Sequence, residues 1–227
     1  MSTEASGLSL LRLMQLVSPT LPIGAYAYSK GLEQAVEGGL VHDETSALDW
    51  IEGTCQHGVG CLDAPLLSRQ IGAFRQDDFS AITRWNELAS RGRETHELAL
   101  EDRELGRALI RLLNQLQVPQ LELLESLESP SYVTAFACAC VRWDIPVTPA
   151  VHGFFHSVCE AQVAAAIKLV PLGQSAGQRC LSHCITQIPV WTRDALTRPD
   201  DEIGLFMPGF ALCSAQHETQ YARLFRS

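Results

Sequence analysis

The chain has 227 residues, 46% of them hydrophobic, and its 26 Asp and Glu residues outnumber its 17 Lys and Arg residues, giving a formal charge of −9. That size and hydrophobic content can supply one core, so we expect a single domain over residues 1–227. The acidic balance, without a basic run, argues against nucleic acid as a partner. Because no basic segment precedes the apolar residues 8–17, we expect no secretory signal and a cytoplasmic protein. In that reducing compartment the cysteines should remain free thiols in the core. Residues 1–7 are expected to be flexible.

Apolar residues recur at helical spacing from the start of the sequence. Residues 8–17 are apolar almost all round, which predicts a buried first helix that ends before Pro19. A second helix is predicted from about Ser29 to Gly38, where a pair of glycines is typical of a helix end. The residues that we expect to cap later helices are Asp43 or Thr45, Asp63, Asp77 or Asp78, and Ser129.

The clearest helical pattern covers residues 91–116. Its leucines form one stripe and charged residues, including Glu101, occupy the other faces, which predicts a long amphipathic helix on the outside of a bundle. The rest of the chain is divided into pieces of helical length by Pro119, Pro130, Pro146, Pro149, Pro171 and Pro189. Because two-residue alternation is almost absent, the sequence predicts an all-α fold, a helical bundle of roughly ten helices.

The longest apolar stretch, residues 150–170, does not predict a membrane span. It contains His152, His156, Glu160 and Lys168, whose burial in hydrocarbon would be costly. Its alanine-rich middle instead suits close packing between helices, so we expect no membrane partner.

A Gly-x-Ser-x-Gly pattern centred on Ser175 raises a serine hydrolase as the alternative function. Asp194 or Asp201 and then His217 follow in the chain order of α/β hydrolases. That nucleophile turn needs a strand before the serine and a parallel sheet beneath it, and the sequence offers no alternation of strands and helices. The simpler interpretation is that Gly173 ends one helix and Ser175 begins another.

Soft metal ligands are abundant but are not spaced as a tight site. The candidates are Cys138, Cys140, His152, His156, Cys159, Cys180, His183 and Cys184. The two histidines share a helix face, whereas Cys138 and Cys140 would point apart on a helix, and no paired Cys-x-x-Cys spacing occurs. We expect no tightly bound metal, although a metal in transit needs only weak ligands that leave no motif. The sequence also lacks Gly-x-x-x-x-Gly-Lys-Ser/Thr, so any nucleotide would be bound by a partner.

Residues 18–33, SPTLPIGAYAYSKGLE, are unusual for a loop, and we call them the signature segment. Two prolines fix the backbone, two glycines permit turns, and two tyrosines carry hydroxyls on large apolar rings. Together with residues 168–174, KLVPLGQ, and the ending 217–227, HETQYARLFRS, this segment closely resembles the urease accessory protein family UreF. The opening block of that family reads approximately SPxLPIGAFxYSxGLE, and Tyr26 stands where phenylalanine is common.

The resemblance implies a non-enzymatic, all-α accessory protein that forms a homodimer. Its partners would be UreD (also called UreH), the GTPase UreG and apo-urease. The assembly would deliver nickel to the urease active site, with UreF modulating GTP hydrolysis and forming part of the nickel passage. GTP would be bound by UreG, and nickel would only pass through, so no cofactor of this chain is expected.

The motif match also implies which residues bind partners. The UreG-facing surface or passage would include Tyr28, Gly31, Glu33, Lys168 and Gln174, and the tail (residues 214–227) would contact UreD/UreH through His217, Glu218, Tyr221, Arg223, Phe225 and Arg226. Composition alone favours a frayed, solvated terminus for the tail over an anchor for another protein. We expect the signature segment to be a rigid turn that presents Tyr28 and Glu33 to a partner, with a transient nickel path near Glu33.

Overall fold

The computed structural model describes residues 7–204 and 207–226, so residues 1–6, part of the segment expected to be flexible, lie outside it. Its α-helices are α1 (Gly7–Leu16), α2 (Leu32–Glu37), α3 (Glu44–Gly53), α4 (Asp63–Arg75), α5 (Phe79–Arg91), α6 (His96–Gln115), α7 (Glu122–Glu125), α8 (Tyr132–Arg142), α9 (Val147–Leu169), α10 (Gln174–Thr197) and α11 (Pro208–His217). A π-helical turn, Thr54–Val59, follows α3, and 3₁₀ turns occupy Ala25–Ala27 and Asp200–Glu202. No strand occurs in these ranges, which confirms the all-α fold.

Two of the predicted helix caps are present. The carboxylate of Asp43 accepts the backbone N–H of Ser46, whose hydroxyl accepts the N–H of Asp43 in return, so the start of α3 is a capping box. Asp78 caps α5 by accepting the N–H of Ala81. Both helices therefore begin where local side-chain chemistry satisfies their first N–H groups.

Other predicted boundaries are wrong, each for a local reason. The helix α8 is capped by Ser131 and not by Ser129. Asp63 caps nothing, because its carboxylate binds Arg93 instead. Pro189 lies inside α10 and does not separate two helices.

Two helices also begin later than predicted. The second helix starts at Leu32 and not at about Ser29, because Lys30 (φ 55°) and Gly31 (φ 79°) have left-handed backbones. The long amphipathic helix starts at His96, where the hydroxyl of Thr95 accepts the N–H of Leu98.

Burial differs from expectation at two places. The outer face of α1 is not buried: Leu8, Leu10, Leu11 and Met14 are more than half exposed, while Leu13 and Leu16 pack inward. Conversely, Glu101 does not decorate an outer face but is only 2% exposed. The helix α6 is therefore covered on part of its charged side as well as on its leucine stripe.

Most apolar side chains form one large core built around α4, α8, α9 and α10, with Phe74, Phe136 and Phe155 among its largest buried members. A second, smaller core joins α2, the end of α9, α11 and the end of the chain, and it includes Leu32, Val170, Cys213 and Phe225. The last residues thus pack against the body of the protein. All eight cysteines are free thiols, and no helix in the described ranges combines the length and apolarity of a membrane span.

Candidate functional site

The signature segment ends in a tight turn that brings α2 against α11. Lys30 and Gly31 both have positive φ, and a Cβ on Gly31 would lie 3.1 Å from the backbone nitrogen of Ser214 in α11. Glycine therefore permits both the turn and the close approach of the two helices. The preceding carbonyl, of Ser29, accepts a hydrogen bond of 3.0 Å from the buried side-chain amide of Gln162, which fixes the turn on α9.

The carboxylate of Glu33, at the start of α2, anchors the end of the chain. Its Oε1 accepts the N–H of Leu224 at 2.6 Å, and its Oε2 accepts the N–H of Phe225 at 2.9 Å. The ring Nε2 of His217 lies 3.2 Å from the same Oε2. Glu33 is 7% exposed and His217 is fully buried, so these charge-assisted bonds form where water competes little.

His217 lies between two carboxylates. Its Nδ1 is 2.9 Å from Oε2 of Glu97, whose Oε1 accepts from Arg223 at 2.6 Å. Because carboxylate oxygens only accept, both ring contacts are donor bonds when the imidazole carries two protons. In that form His217 and Arg223 neutralise Glu33 and Glu97, and we call these four side chains the tail junction.

The KLVPLGQ segment reaches the same place. The ammonium of Lys168 lies 5.5 Å from the centre of the Phe225 ring, and Val170 shares the second core with that ring. One residue further along the tail, the N–H of Arg226 donates to the carbonyl of Ala27 in the signature segment. All three family-like segments, distant in sequence, therefore meet around the end of the chain.

The residues expected to bind partners fall into two sets. The buried ones are Tyr28, Gly31, Glu33, His217 and Phe225, and the exposed ones are Lys168, Gln174, Glu218, Tyr221, Arg223 and Arg226. The expectation that the signature segment presents Tyr28 and Glu33 is wrong for this structure, because both side chains face inward. Over its described part, up to Arg226, the tail is docked through the backbone N–H groups of Leu224, Phe225 and Arg226, while several of its side chains are exposed.

The hydrolase alternative is not supported by the arrangement of its residues. Ser175 lies in the exposed first turn of α10, and Asp194 and Asp201 are also exposed. Both ring nitrogens of His217 are engaged by the carboxylates of the tail junction. Residues 170–174, directly before the serine, form no strand, so the strand–turn–helix context that a nucleophilic serine of this class needs is missing.

The candidate metal ligands do not assemble into a metal site either, although the Cys159 and Cys184 thiols are in hydrogen-bonding contact. Among the described residues, no group of three or more His, Cys, Asp and Glu side chains has an arrangement that suits a metal ion. His183 instead lies 3.0 Å from Glu52 at the surface, and burial raises the pKa of the Cys138 thiol to about 11. The remaining candidates are the buried Cys140, Cys159, Cys180 and Cys184 and the half-buried His152 and His156.

Sequence reasoning missed a buried group of charges behind the signature segment. Arg93 donates to both oxygens of Asp63, at 3.1 and 2.5 Å, and to Oδ1 of Asp102 at 2.8 Å. Lys30 lies 3.1 Å from Oε1 of Glu101. Burial raises the pKa of Asp102 above its usual range, although the charge of Arg93 opposes that shift.

These charges line two neighbouring cavities. The first, of about 60 Å³, is bounded by all five of them and by Tyr132. The second, of about 40 Å³, is bounded by Lys30, Glu101 and Tyr132 and by five further residues of the signature segment, Ser18, Leu21, Ile23, Ala25 and Tyr26. The lysine itself was the available signal in the sequence, since the chain contains only two, Lys30 and Lys168, and both lie in family-like segments.

The fold and the tail junction define an all-α protein in which the signature segment and the chain end form one composite surface. A family model described as UreF matches residues 41–185. The chain belongs to the UreF family of urease accessory proteins, which confirms the resemblance seen in the sequence. It is 46% identical to the urease accessory protein UreF of Alkalilimnicola ehrlichii over 100% of both chains. It is also 44% identical to UreF of Pseudoalteromonas translucida, over 99% of this chain and 97% of that relative, and 42% identical to UreF 2 of Brucella anthropi over 100% of both.

Proposed function

We propose that this protein is a non-catalytic scaffold of urease maturation. It binds UreD/UreH, recruits the GTPase UreG, modulates the hydrolysis of GTP by UreG and helps deliver nickel to apo-urease in the cytoplasm, acting as a homodimer. The observation that carries the proposal is the meeting of three distant family-like segments around the end of the chain. The relatives that match along their whole length are urease accessory proteins, which supports urease maturation as the process in which this chain acts.

The surface above the tail junction has the composition of a recognition site. Tyr221 is fully exposed and Leu224 is 67% exposed, and Arg223, Arg226 and Lys168 are exposed as well. Tyrosine and arginine are the residue types that concentrate binding energy at interfaces. Because Glu33 already holds the backbone of this segment, a partner does not have to order it on binding. The buried residues therefore shape the surface, and the exposed ones contact the partner.

The passage for nickel runs through the two cavities in this proposal. The route expected near Glu33 remains a prediction, but both oxygens of Glu33 accept hydrogen bonds from the tail. Asp63, Glu101 and Asp102 line the first cavity, and carboxylates with water are weak ligands from which a cation can leave. In this proposal nickel is the transported ion and not a cofactor of this chain, and GTP is bound by UreG.

The test is coexpression of the full chain with the urease subunits, UreD/UreH and UreG. The variant Tyr221→Ala with Arg226→Ala should lower co-purified partner and urease nickel content at least about tenfold, because each exposed anchor supplies about 1 kcal/mol or more. The control is Glu104→Ala with Arg107→Ala, which removes an exposed ion pair from α6 and should behave as wild type.

Wild-type nickel content in the tail variant, at equal protein levels, would overturn the proposed function. Ser175→Ala should leave urease activation unchanged. Loss of activation in that variant alone would favour a catalytic role for the serine.

A further inference from the structure

One ion pair, between Lys30 and Glu101, lines both cavities. Lys30 lines both of them, and its ammonium lies 3.1 Å from Oε1 of Glu101, which also lines both. The side chain of Lys30 is 28% exposed, whereas that of Glu101 is 3% exposed. The lysine is therefore the partner that can leave this ion pair for solvent.

The backbone of Lys30 is held in an uncommon conformation. Its φ of 55° is left-handed, which few residues other than glycine adopt, and such strain persists where the surroundings fix it and is frequent at functional sites. The next residue, Gly31, is also left-handed and packs on α11. The turn thus directs a lysine towards the interior in a chain where 15 of the 17 basic residues (17 − 2 lysines) are arginine.

Lysine and arginine have different roles in this cluster. Arg93 is fixed by a two-pronged contact with Asp63 and a third bond to Asp102, as suits a planar guanidinium. Lys30 carries a compact charge on a flexible stem, so its ammonium can move without displacing its backbone. Of these two basic side chains, Lys30 is therefore the one that another cation can displace from its carboxylate.

Removal of the lysine ammonium would leave an acceptor set for another cation. The cluster has three carboxylates and two basic groups, a net charge of −1, which becomes −2 when Lys30 moves away. In the described part of the chain, Oδ2 of Asp102 is buried and accepts no hydrogen bond, although Asp102 lines the first cavity. Carboxylate oxygens from Glu101 and Asp102 would then face the same space, where a partly hydrated divalent cation binds weakly.

We propose that Lys30 is the gate between the two cavities: a divalent cation moves from one to the other by displacing the lysine ammonium from Glu101. This inference rests on the proposed function, because it specifies how the cation passage is controlled. The exchange is electrostatic and breaks no covalent bond, so the gate recloses when the cation leaves.

The test measures Ni²⁺ binding to the purified full chain by calorimetry or equilibrium dialysis. Lys30→Met removes the competing charge at similar volume and should tighten Ni²⁺ binding at least about tenfold, because a like charge within a few ångströms opposes the ion. Adding Glu101→Gln to that variant should abolish the gain. The control Arg179→Met removes a cation from an exposed pair with Glu44 and should leave affinity unchanged.

A second measurement needs no variant and so does not depend on how Lys30→Met folds. Because the chain has two lysines, acetylation of each can be followed by mass spectrometry in the wild-type protein, with Lys168 as the internal reference. Saturating Ni²⁺ should raise the labelling rate of Lys30 relative to Lys168 at least about twofold, since a lysine released from an ion pair is more reactive.

Unchanged relative labelling, or equal Ni²⁺ affinity of wild type and a folded Lys30→Met, would overturn the gate. A gain in affinity that survives Glu101→Gln would also overturn it, because the ion would then bind elsewhere. These results concern the isolated chain. They leave the proposed function standing if the tail variant still loses partner binding, whereas normal urease activation by that variant would refute the function and leave Ni²⁺ binding and lysine labelling to decide the gate separately.

Discussion

Replacing Glu33 by glutamine isolates the bonds that hold the end of the chain. The two carboxylate oxygens of Glu33 each accept a separate backbone N–H, from Leu224 and from Phe225. Glutamine has only one oxygen, so its amide NH₂ must face one of these donors and leave it unsatisfied. Loss of one charge-assisted bond at a buried site costs about 2–3 kcal/mol, which raises the population of undocked tail roughly 30-fold or more.

Hydrogen exchange of the Leu224 and Phe225 amides measures this change directly. In Glu33→Gln both should lose protection by that factor while the large core stays protected, and trypsin should cleave faster after Arg223. The matched control is Glu37→Gln, which removes an exposed carboxylate from the same helix and should change neither readout. Equal protection in the two variants would show that apolar packing, and not the carboxylate, docks the tail.

Three further predictions concern recognition, packing and pH. Tyr221→Ala should change the free energy of unfolding by no more than about 0.5 kcal/mol, since the side chain is fully exposed. The same variant should weaken UreD/UreH binding in a pull-down titration. A loss of stability without a loss of binding would show that the tyrosine has a structural role. Gly106→Ala should lower the free energy of unfolding, measured with denaturant, by about 1–3 kcal/mol, because its Cβ would collide with the carbonyl of Pro130. In the control Gly72→Ala the new Cβ has no atom within 4 Å, so this variant should stabilise the protein by up to about 1 kcal/mol. Equal effects of the two variants would contradict the packing at Gly106. Burial raises the pKa of Cys138 from 9.0 to about 11, so the folded protein keeps a proton that the unfolded chain loses. Stability should therefore fall between about pH 9 and 11, and Cys138→Ala should reduce that fall by roughly 2–3 kcal/mol; parallel pH curves would contradict the shift.

Local chemistry made much of the fold predictable. Asp43 and Asp78 begin helices because the bonds that a cap makes are contained within four residues of sequence. The exposed face of α1 could not be predicted in this way, since an all-round apolar pattern does not say which face other helices cover. The burial of Glu101 could not be predicted from helical spacing either, because spacing places this carboxylate on a charged face. Its burial depends on the tertiary fold, which brings Lys30 against it.

The candidate site likewise combines residues that the sequence singles out with contacts that depend on tertiary packing. Glu33 and His217 could each be singled out by resemblance, but they are 184 residues apart and their mutual bond depends on how α11 packs on α2. Glu97, which completes the junction, lies in the first turn of α6, where a carboxylate is ordinary on helix-dipole grounds. Only the convergence of the tail on that turn distinguishes it from the other acidic residues of the helix.

Surface and interior are joined by one stretch of α6. Glu97 contacts His217 and Arg223 in the tail junction, and Glu101, one helical turn later on the same face, contacts Lys30 between the cavities. The signature segment contacts both carboxylates. Lys30 binds Glu101 directly, and Glu33, three residues later, is linked to Glu97 through the imidazole of His217. The tail junction and the ion pair that lines both cavities therefore depend on two carboxylates one helical turn apart on α6.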